Sequence, residues 1–368
     1  MSEKMKTNAM IRLAQLALLL AGLISSLAQA GQFRADEGNT GYYSEGKLKK
    51  VKGVAYTYKT RKGIYSAPVV DDKLVYVGSQ DGYLHVFDKK KGREFSKFRT
   101  KGNVATTATV DDGKAYFGSW DGYVYAVDFK HKKPLWRFKT GGLVNSSPLL
   151  YKDVVYIGND AGYLFALNAE TGAEIWHFNT GRPVQASPAA WKDWLYITSK
   201  SGKAYCLNRN TGQLVWEYDT GAAITSSPAV YKGVVSFGSD SHFQYALDAK
   251  SGAELWTFRT SAAIQSSAAM HGKWLIFTSN DGYVYCLDRN SGEKYWEYKT
   301  LGKIPSSPVL GGSVVYVASM DGYIHAINVK KGERLWKYDT RDKVVAPMTL
   351  HDGRLYYATA SGDVKVLK

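Results

Sequence analysis

Cysteine is almost missing from this chain, with only Cys206 and Cys286 in 368 residues. They fall at equivalent positions of two non-adjacent sequence repeats, beyond the reach of a disulfide, so two inert buried thiols are expected. No Cys closes the N-terminal apolar segment, which excludes lipid attachment there. Proline is sparse at 9 residues, and no helical period runs through the body of the chain. The unbroken apolar run from Leu16 to Ile24 lies between Gln15 and Ser25-Ser26 and is too short to span a bilayer. Metal spacings of the His-x-His or His-Glu-x-x-His kind are missing, as are a Gly-x-Ser-x-Gly elbow and a phosphate loop.

What the N-terminus does carry is a secretory pattern. Lys4, Lys6 and Arg12 precede the mostly apolar stretch from Leu13 to Leu27, and Ala28-Gln29-Ala30 gives a small-x-small cleavage site. Residues 1–30 are therefore read as a signal peptide and the chain as exported, periplasmic or associated with an outer membrane. The formal charge of +15 becomes about +13 once 1–30 are removed, with 45 basic against 32 acidic residues. That balance favours acidic partners, among them an anionic glycan, lipid headgroups or an acidic protein face. Nucleic acid is not expected, and a monomer is expected outside any complex.

The body of the chain is periodic. Trp136, Trp176, Trp216, Trp256, Trp296 and Trp336 stand 40 residues apart, with Tyr56 and Ser96 in the same phase. Four residues after each of these comes Thr60, Thr100, Thr140, Thr180, Thr220, Thr260, Thr300 or Thr340, without one insertion. A fixed period of this size marks a repeat architecture. Each unit holds four short β-rich runs, exemplified by 146–150, 154–158, 163–167 and 175–178. Asp-Gly at 81–82, 121–122, 281–282 and 321–322 supplies tight hairpins. An Asp or Asn followed four residues later by Gly, as in Asp248 and Gly252, supplies a second turn, from which Asp128 with Lys132 departs.

Four antiparallel strands per 40 residues make a propeller blade. Small pairs such as Ser66-Ala67, Thr106-Thr107 and Ser146-Ser147 suit the crowded strand at the axis. The six in-phase Trp suit an outermost strand, where a large ring docks on the neighbouring blade. One outer strand at 54–60 and three strands within 346–367 complete a blade between them and close the ring. The expectation is an all-β, eight-bladed propeller over 54–368, preceded by an arm at 31–53 that carries Lys47, Lys49, Lys50 and Lys52.

The phrase from Leu247 to Trp256 (Leu-Asp-Ala-Lys-Ser-Gly-Ala-Glu-Leu-Trp) resembles the PQQ-like repeat, and the resemblance covers 54–368. In size and export the chain is similar to the BamB family of outer-membrane assembly factors, although that family is usually lipidated. The resemblance implies a non-catalytic scaffold that binds protein at the cell envelope. It also connects the chain to quinoprotein dehydrogenases, which would imply PQQ and calcium. The adjacent Cys pair and the insertions of those enzymes are missing here, so neither a cofactor nor a catalytic residue is expected.

Informative positions in a repeat protein are those where one copy departs from the rest. On the loops that lead into the inner strands stand Arg61, Lys62, Lys101, Arg182, Lys303, Arg341 and Lys343, whereas 221–223 and 261–263 hold only Gly, Ala and Ser. Among hairpin tips Trp120 is the outlier, a large aromatic beside the basic sector, and aromatic and Arg side chains are common binding anchors. These eight residues are the candidate interaction site. His242, where a hairpin Gly is expected, suggests a relaxed turn. On the opposite face Lys89, Lys90, Lys91, Arg93, Lys130, Lys132, Lys133, Lys330, Lys331 and Arg334 form a second basic cluster, suited to an anionic surface.

Overall fold

The computed structural model describes residues 31–44 and 46–368; the expected signal peptide lies outside them. Eight sheets form the ring. Blade 1 consists of Val69–Val70, Leu74–Gly78, Tyr83–Asp88 and Glu94–Arg99, and blades 2 to 7 repeat it from Thr109, Leu149, Ala189, Ala229, Ala269 and Val309. Blade 8 joins Thr349–His351, Arg354–Ala358 and Asp363–Leu367 to the outer strand Val54–Lys59, which pairs antiparallel with Asp363–Leu367. The ring is thus shut by a strand from the start of the chain. Apolar clusters straddle neighbouring blades. One packs Tyr58, Val364 and Tyr356 of blade 8 against Val75, Val77 and Phe87 of blade 1.

The inner strands are shorter than the sequence suggests, three residues in blade 3 (Leu149–Tyr151) and two in blade 1. The small residues before them serve a different bond. In most blades the first of the pair ties its own blade together, as where Ser66 Oγ lies 3.0 Å from both the Gly78 carbonyl and the Gly78 amide; Ser146 instead donates to Ala186 O of the next blade at 2.9 Å. The second ties neighbouring blades, since the amide at each position donates to the hydroxyl 40 residues on. Ala67 donates to Thr107 Oγ1 (2.9 Å), Thr107 to Ser147 (3.0 Å), and the series continues to Ser267 and Ser307 (2.9 Å). Such buried amides need partners, and here the next blade supplies them.

The in-phase Thr have an equally local task. Thr100 Oγ1 sits between the Gly82 carbonyl of its own hairpin (3.0 Å) and the Gly102 carbonyl two residues ahead (2.6 Å), fixing the start of each crossover loop. The Trp lie between blades, and Trp136 Nε1 donates to Ala169 O at 2.9 Å. A Cβ on Gly172 would meet the Trp136 ring at 2.6 Å, so that turn requires glycine both for its φ of +73° and for space. The departure at Lys132 follows from this packing: the preceding blade has Ser96 in place of Trp, so Lys132 fits at φ +53°.

Residues 31–44 do not merely precede the ring; they fill its axis. The inner-strand amides of Val110, Ala190, Val230, Met270 and Leu310 donate to the carbonyls of Gly31, Glu37, Gly38, Thr40 and Gly41 at 2.6–2.9 Å. Tyr42–Tyr43 adds a parallel strand to the inner edge of blade 7. Asn39 Nδ2 lies within 3.2 Å of the carbonyls of Ser187, Pro188 and Pro228, and Arg34 donates to Ala268 O at 2.7 Å. Leu48 takes up the equivalent bond at the seam. Trp136 and Trp176 donate to a carbonyl 33 positions on in the next blade, whereas Trp336 Nε1 donates to Leu48 O at 3.2 Å.

Asp36 is folded into this plug, where burial raises its carboxyl to about 6 although hydrogen bonds from Thr40 pull the other way. A folded pKa above the ordinary 3.8 means the stability associated with Asp36 is fully present below about pH 4 and lost as pH rises through about 6. Asp36→Asn is expected to flatten the change in thermal midpoint between those values, measured against the parent chain. His242 offers a second check. Its φ of +71° matches the glycine hairpins, and its carbonyl still accepts from the Thr260 amide at 2.9 Å, so the turn is not relaxed but strained. His242→Gly is expected to stabilise the chain by about 1 kcal/mol in denaturant unfolding.

Candidate interaction face

Crossover loops and hairpin tips share one face because they are bonded to each other. Gln80, Trp120, Met320 and Ala360 each donate a backbone amide to the loop entering their own blade, at Gly63, Asn103, Lys303 and Lys343 (2.8–3.0 Å). The short turns, such as 88–93, lie at the other end of the strands. Around the crossover face Lys303, Arg341 and Lys343, Arg61 and Lys62, and Lys101 occupy the loops entering blades 7, 8, 1 and 2, all exposed. Trp120 is the tip of blade 2. Arg182 is exposed on the loop entering blade 4 and stands apart from the other seven.

Trp120 does not swing freely. Its Nε1 donates to Asn145 Oδ1 at 2.6 Å, Asn145 donates to Asp160 at 2.9 Å, and Gln185 reaches the other Asp160 oxygen at 3.0 Å. The indole is pinned across the blade 2–3 boundary with 36% of its surface exposed. Sequence reasoning missed Leu301, which is 96% exposed. Its signal was present, since the equivalent positions are Arg61, Lys101, Gly141, Gly181, Gly221, Ser261 and Arg341. Beside it are the half-exposed Met320 and, further round the face, Tyr65 and Leu143. Two open grooves lie in the same sector. One of about 620 Å³ runs along Met320, Asp342, Lys343 and Ser361, and one of about 980 Å³ passes Lys62, Gln80, Lys101 and Asn103.

The carboxylates of the Asp-Gly hairpins on this face are turned inward, while Asp342 lines the first groove and Asp339 is exposed. Asp121 and Asp281 accept from the hydroxyls of Tyr125 and Tyr285, at 2.7 and 2.9 Å. In blades 1 and 7 a histidine replaces that tyrosine. His85 sits between Asp81 (2.9 Å) and Glu94 (3.0 Å), and His325 between Asp321 (3.1 Å) and the Tyr298 hydroxyl (3.0 Å). Burial would raise Asp81, but the hydrogen bond from His85 and that from the Arg61 amide outweigh it and hold the carboxyl below its usual range. Burial pulls His325 down, against Asp321. The outward-facing charge of the seam sector is therefore largely basic. Both histidines break the aromatic phase, a signal that a search of the sequence for metal spacings passes over.

The PQQ and calcium implied by a dehydrogenase resemblance require several oxygen ligands and a catalytic carboxylate in one pocket. Asp81, Asp121, Asp281 and Asp321 are instead committed within their own blades, and among the described residues no three His, Cys, Asp or Glu gather where they could hold a metal ion. The residues present do not fit that group. Cys206 and Cys286 are both free and fully buried, and burial pushes the Cys206 thiol up to about 12.

The sequence profile of the outer membrane protein assembly factor BamB matches residues 35–177, 160–277 and 240–368. The chain belongs to that family. Among solved structures, BamB from Moraxella catarrhalis is 21% identical, with a TM-score of 0.75 over 86% of this chain and 97% of that one. A computationally designed protein, Ika8, is 18% identical at 0.77 over 84% and 97%. The quinohemoprotein alcohol dehydrogenase ADHIIG from Pseudomonas putida HK5 is 16% identical at 0.78 over 92% and 80%. At these identities the likeness to BamB, to a designed protein and to an enzyme alike concerns the fold. No curated protein is matched. Among the described residues no helix is long and apolar enough to cross a membrane.

Proposed function

We propose that this BamB-family chain is a non-catalytic, exported scaffold that holds a partner protein of the cell envelope on its crossover face, over blades 7, 8, 1 and 2. The observation that carries the reading is Leu301, an aliphatic side chain held 96% in solvent on the loop that also carries Lys303, with exposed Arg341 and Lys343 on the loop entering the next blade. Apolar anchors among guanidinium and ammonium groups are how a protein face concentrates binding energy in a few contacts. The inward-turned carboxylates leave that sector positive, so its partner presents acidic side chains around an apolar recess. The family's name refers to outer-membrane protein assembly, and the secretory pattern of 1–30 agrees with a periplasmic setting.

A photo-reactive amino acid placed at Leu301 or Met320 in cells is expected to capture one defined envelope protein, while the same probe at Ile175 on the outer rim captures none. Replacing both residues by Glu is expected to weaken the isolated complex by about 2 kcal/mol or more, read as a change in Kd. Equal capture from Ile175, or an unchanged Kd, rules the reading out.

A further inference from the structure

The face opposite the crossover loops carries a cationic arc that is complete only in three dimensions. Blade 7 contributes Lys330, Lys331 and Arg334 from its rim turn, all exposed. Blade 1 contributes Lys90, Lys91 and Arg93, and blade 2 Lys130, Lys132 and Lys133, again exposed. Blade 8, between 7 and 1, lacks a rim turn of its own because its outer strand comes from the start of the chain. The arm fills that gap. Leu48 is buried against Tyr316 and accepts from Trp336, and the Lys52 amide donates to the Lys368 carbonyl at 2.6 Å. Lys47, Lys49, Lys50 and Lys52 are left exposed along the seam. The arc therefore runs unbroken over four consecutive blades.

The same turns in blades 3 to 6 are different. At the position of Lys90 they carry Glu170, Asn210, Lys250 and Asn290, and Arg209 and Arg289 are buried. Neutralisation within the arc is partial: Lys130 pairs with Asp112, Lys331 lies 3.8 Å from Glu333, and the buried Lys89 pairs with Asp352 at 2.9 Å. Lys49, Lys50, Lys90 and Lys132 reach no carboxylate among the ion pairs of the described residues. No insertion interrupts the repeats, so no longer loop separates the turns that carry these cations. Apolar side chains border it. Phe95, 38% exposed, has the Lys132 ammonium 5.0 Å from its ring centre, and Leu335 and Val54 are similarly exposed on the neighbouring outer strands.

We propose that this turn face binds the surface of an anionic phospholipid bilayer, with the arc on the headgroups and Phe95, Val54 and Leu335 at their boundary. A planar sheet of negative charge is the partner that engages cations spread over four blades. Each Lys or Arg near such a surface adds about 1 kcal/mol, and the sum falls as salt screens it. Aromatic and aliphatic side chains next to basic ones favour the interface between headgroup and acyl chain. The inference does not depend on the reading of the crossover face, which would remain free to hold protein while the opposite face lies on the membrane.

Residues 31–368 form a compact unit of their own, so the test uses that chain. Flotation with phosphatidylcholine–phosphatidylglycerol vesicles is compared with phosphatidylcholine alone. Binding at low salt is expected to be at least about tenfold stronger with the anionic lipid and to disappear at high salt. Replacing Lys49, Lys50, Lys52, Lys90, Lys91 and Lys132 by Gln is expected to remove at least about tenfold of it with the thermal midpoint unchanged, whereas Lys303→Gln with Lys343→Gln leaves it intact. Equal binding to both vesicles, loss with the crossover-face pair instead, or retention on heparin without retention on vesicles overturns the proposal.

Discussion

The structure depends on a bond made once per blade at the crowded centre of the ring, from a backbone amide to the hydroxyl 40 residues further on. It joins Ala67 to Thr107 and, through Ser147, Ser187, Ser227 and Ser267, arrives at Ser307. Because each residue both donates its amide and accepts at its side chain, a unit of another length would leave a buried amide unpaired, which costs on the order of 1–3 kcal/mol. The period is therefore rigid where blades meet. Variation is displaced to loops and turns, and there the chain places its exposed cations and apolar side chains.

The series stops at the seam, where Pro347 has neither a hydroxyl nor an amide hydrogen to continue it and Ala67 has no hydroxyl. Other contacts close the ring. Thr349 Oγ1 donates to Pro68 O at 2.6 Å, and the strand Val54–Lys59 pairs with Asp363–Leu367. The arm completes the closure by satisfying five inner-edge amides and setting the Leu48 carbonyl against Trp336. One segment thus bonds to the inner strands of five blades and carries four lysines to blade 8, which has no rim turn of its own. Closure and charge asymmetry have a common origin in the composite blade 8.

Blade number, order and closure were legible in the sequence because Trp and Thr phases report positions that every blade must repeat. Roles were less legible than positions. Small pairs such as Thr106-Thr107 read as concessions to crowding, whereas their hydroxyls make the bonds within and between blades. The arm was opaque, since residues 31–53 have no internal period and their order comes from amides on blades far away in sequence. Of the candidate site, the basic crossover loops and Trp120 were visible as departures from phase. Leu301, His85 and His325 were departures of the same kind, but the first was hidden by its ordinary apolar character and the histidines by the search for metal spacings. Lys132 shows how such departures pair across blades: it is allowed only because Ser96 replaces the ring that forces Gly172 and its equivalents.

The central claim is that residues 31–44 are an integral plug of the propeller and not a tether leading up to it. Hydrogen–deuterium exchange of the chain from residue 31 tests this most directly. Peptides covering the arm, and those containing the amides of Val110, Ala190, Val230, Met270 and Leu310, are expected to exchange as slowly as the middle strands of the blades. Rapid exchange of all these peptides, with the middle strands still protected, would contradict it.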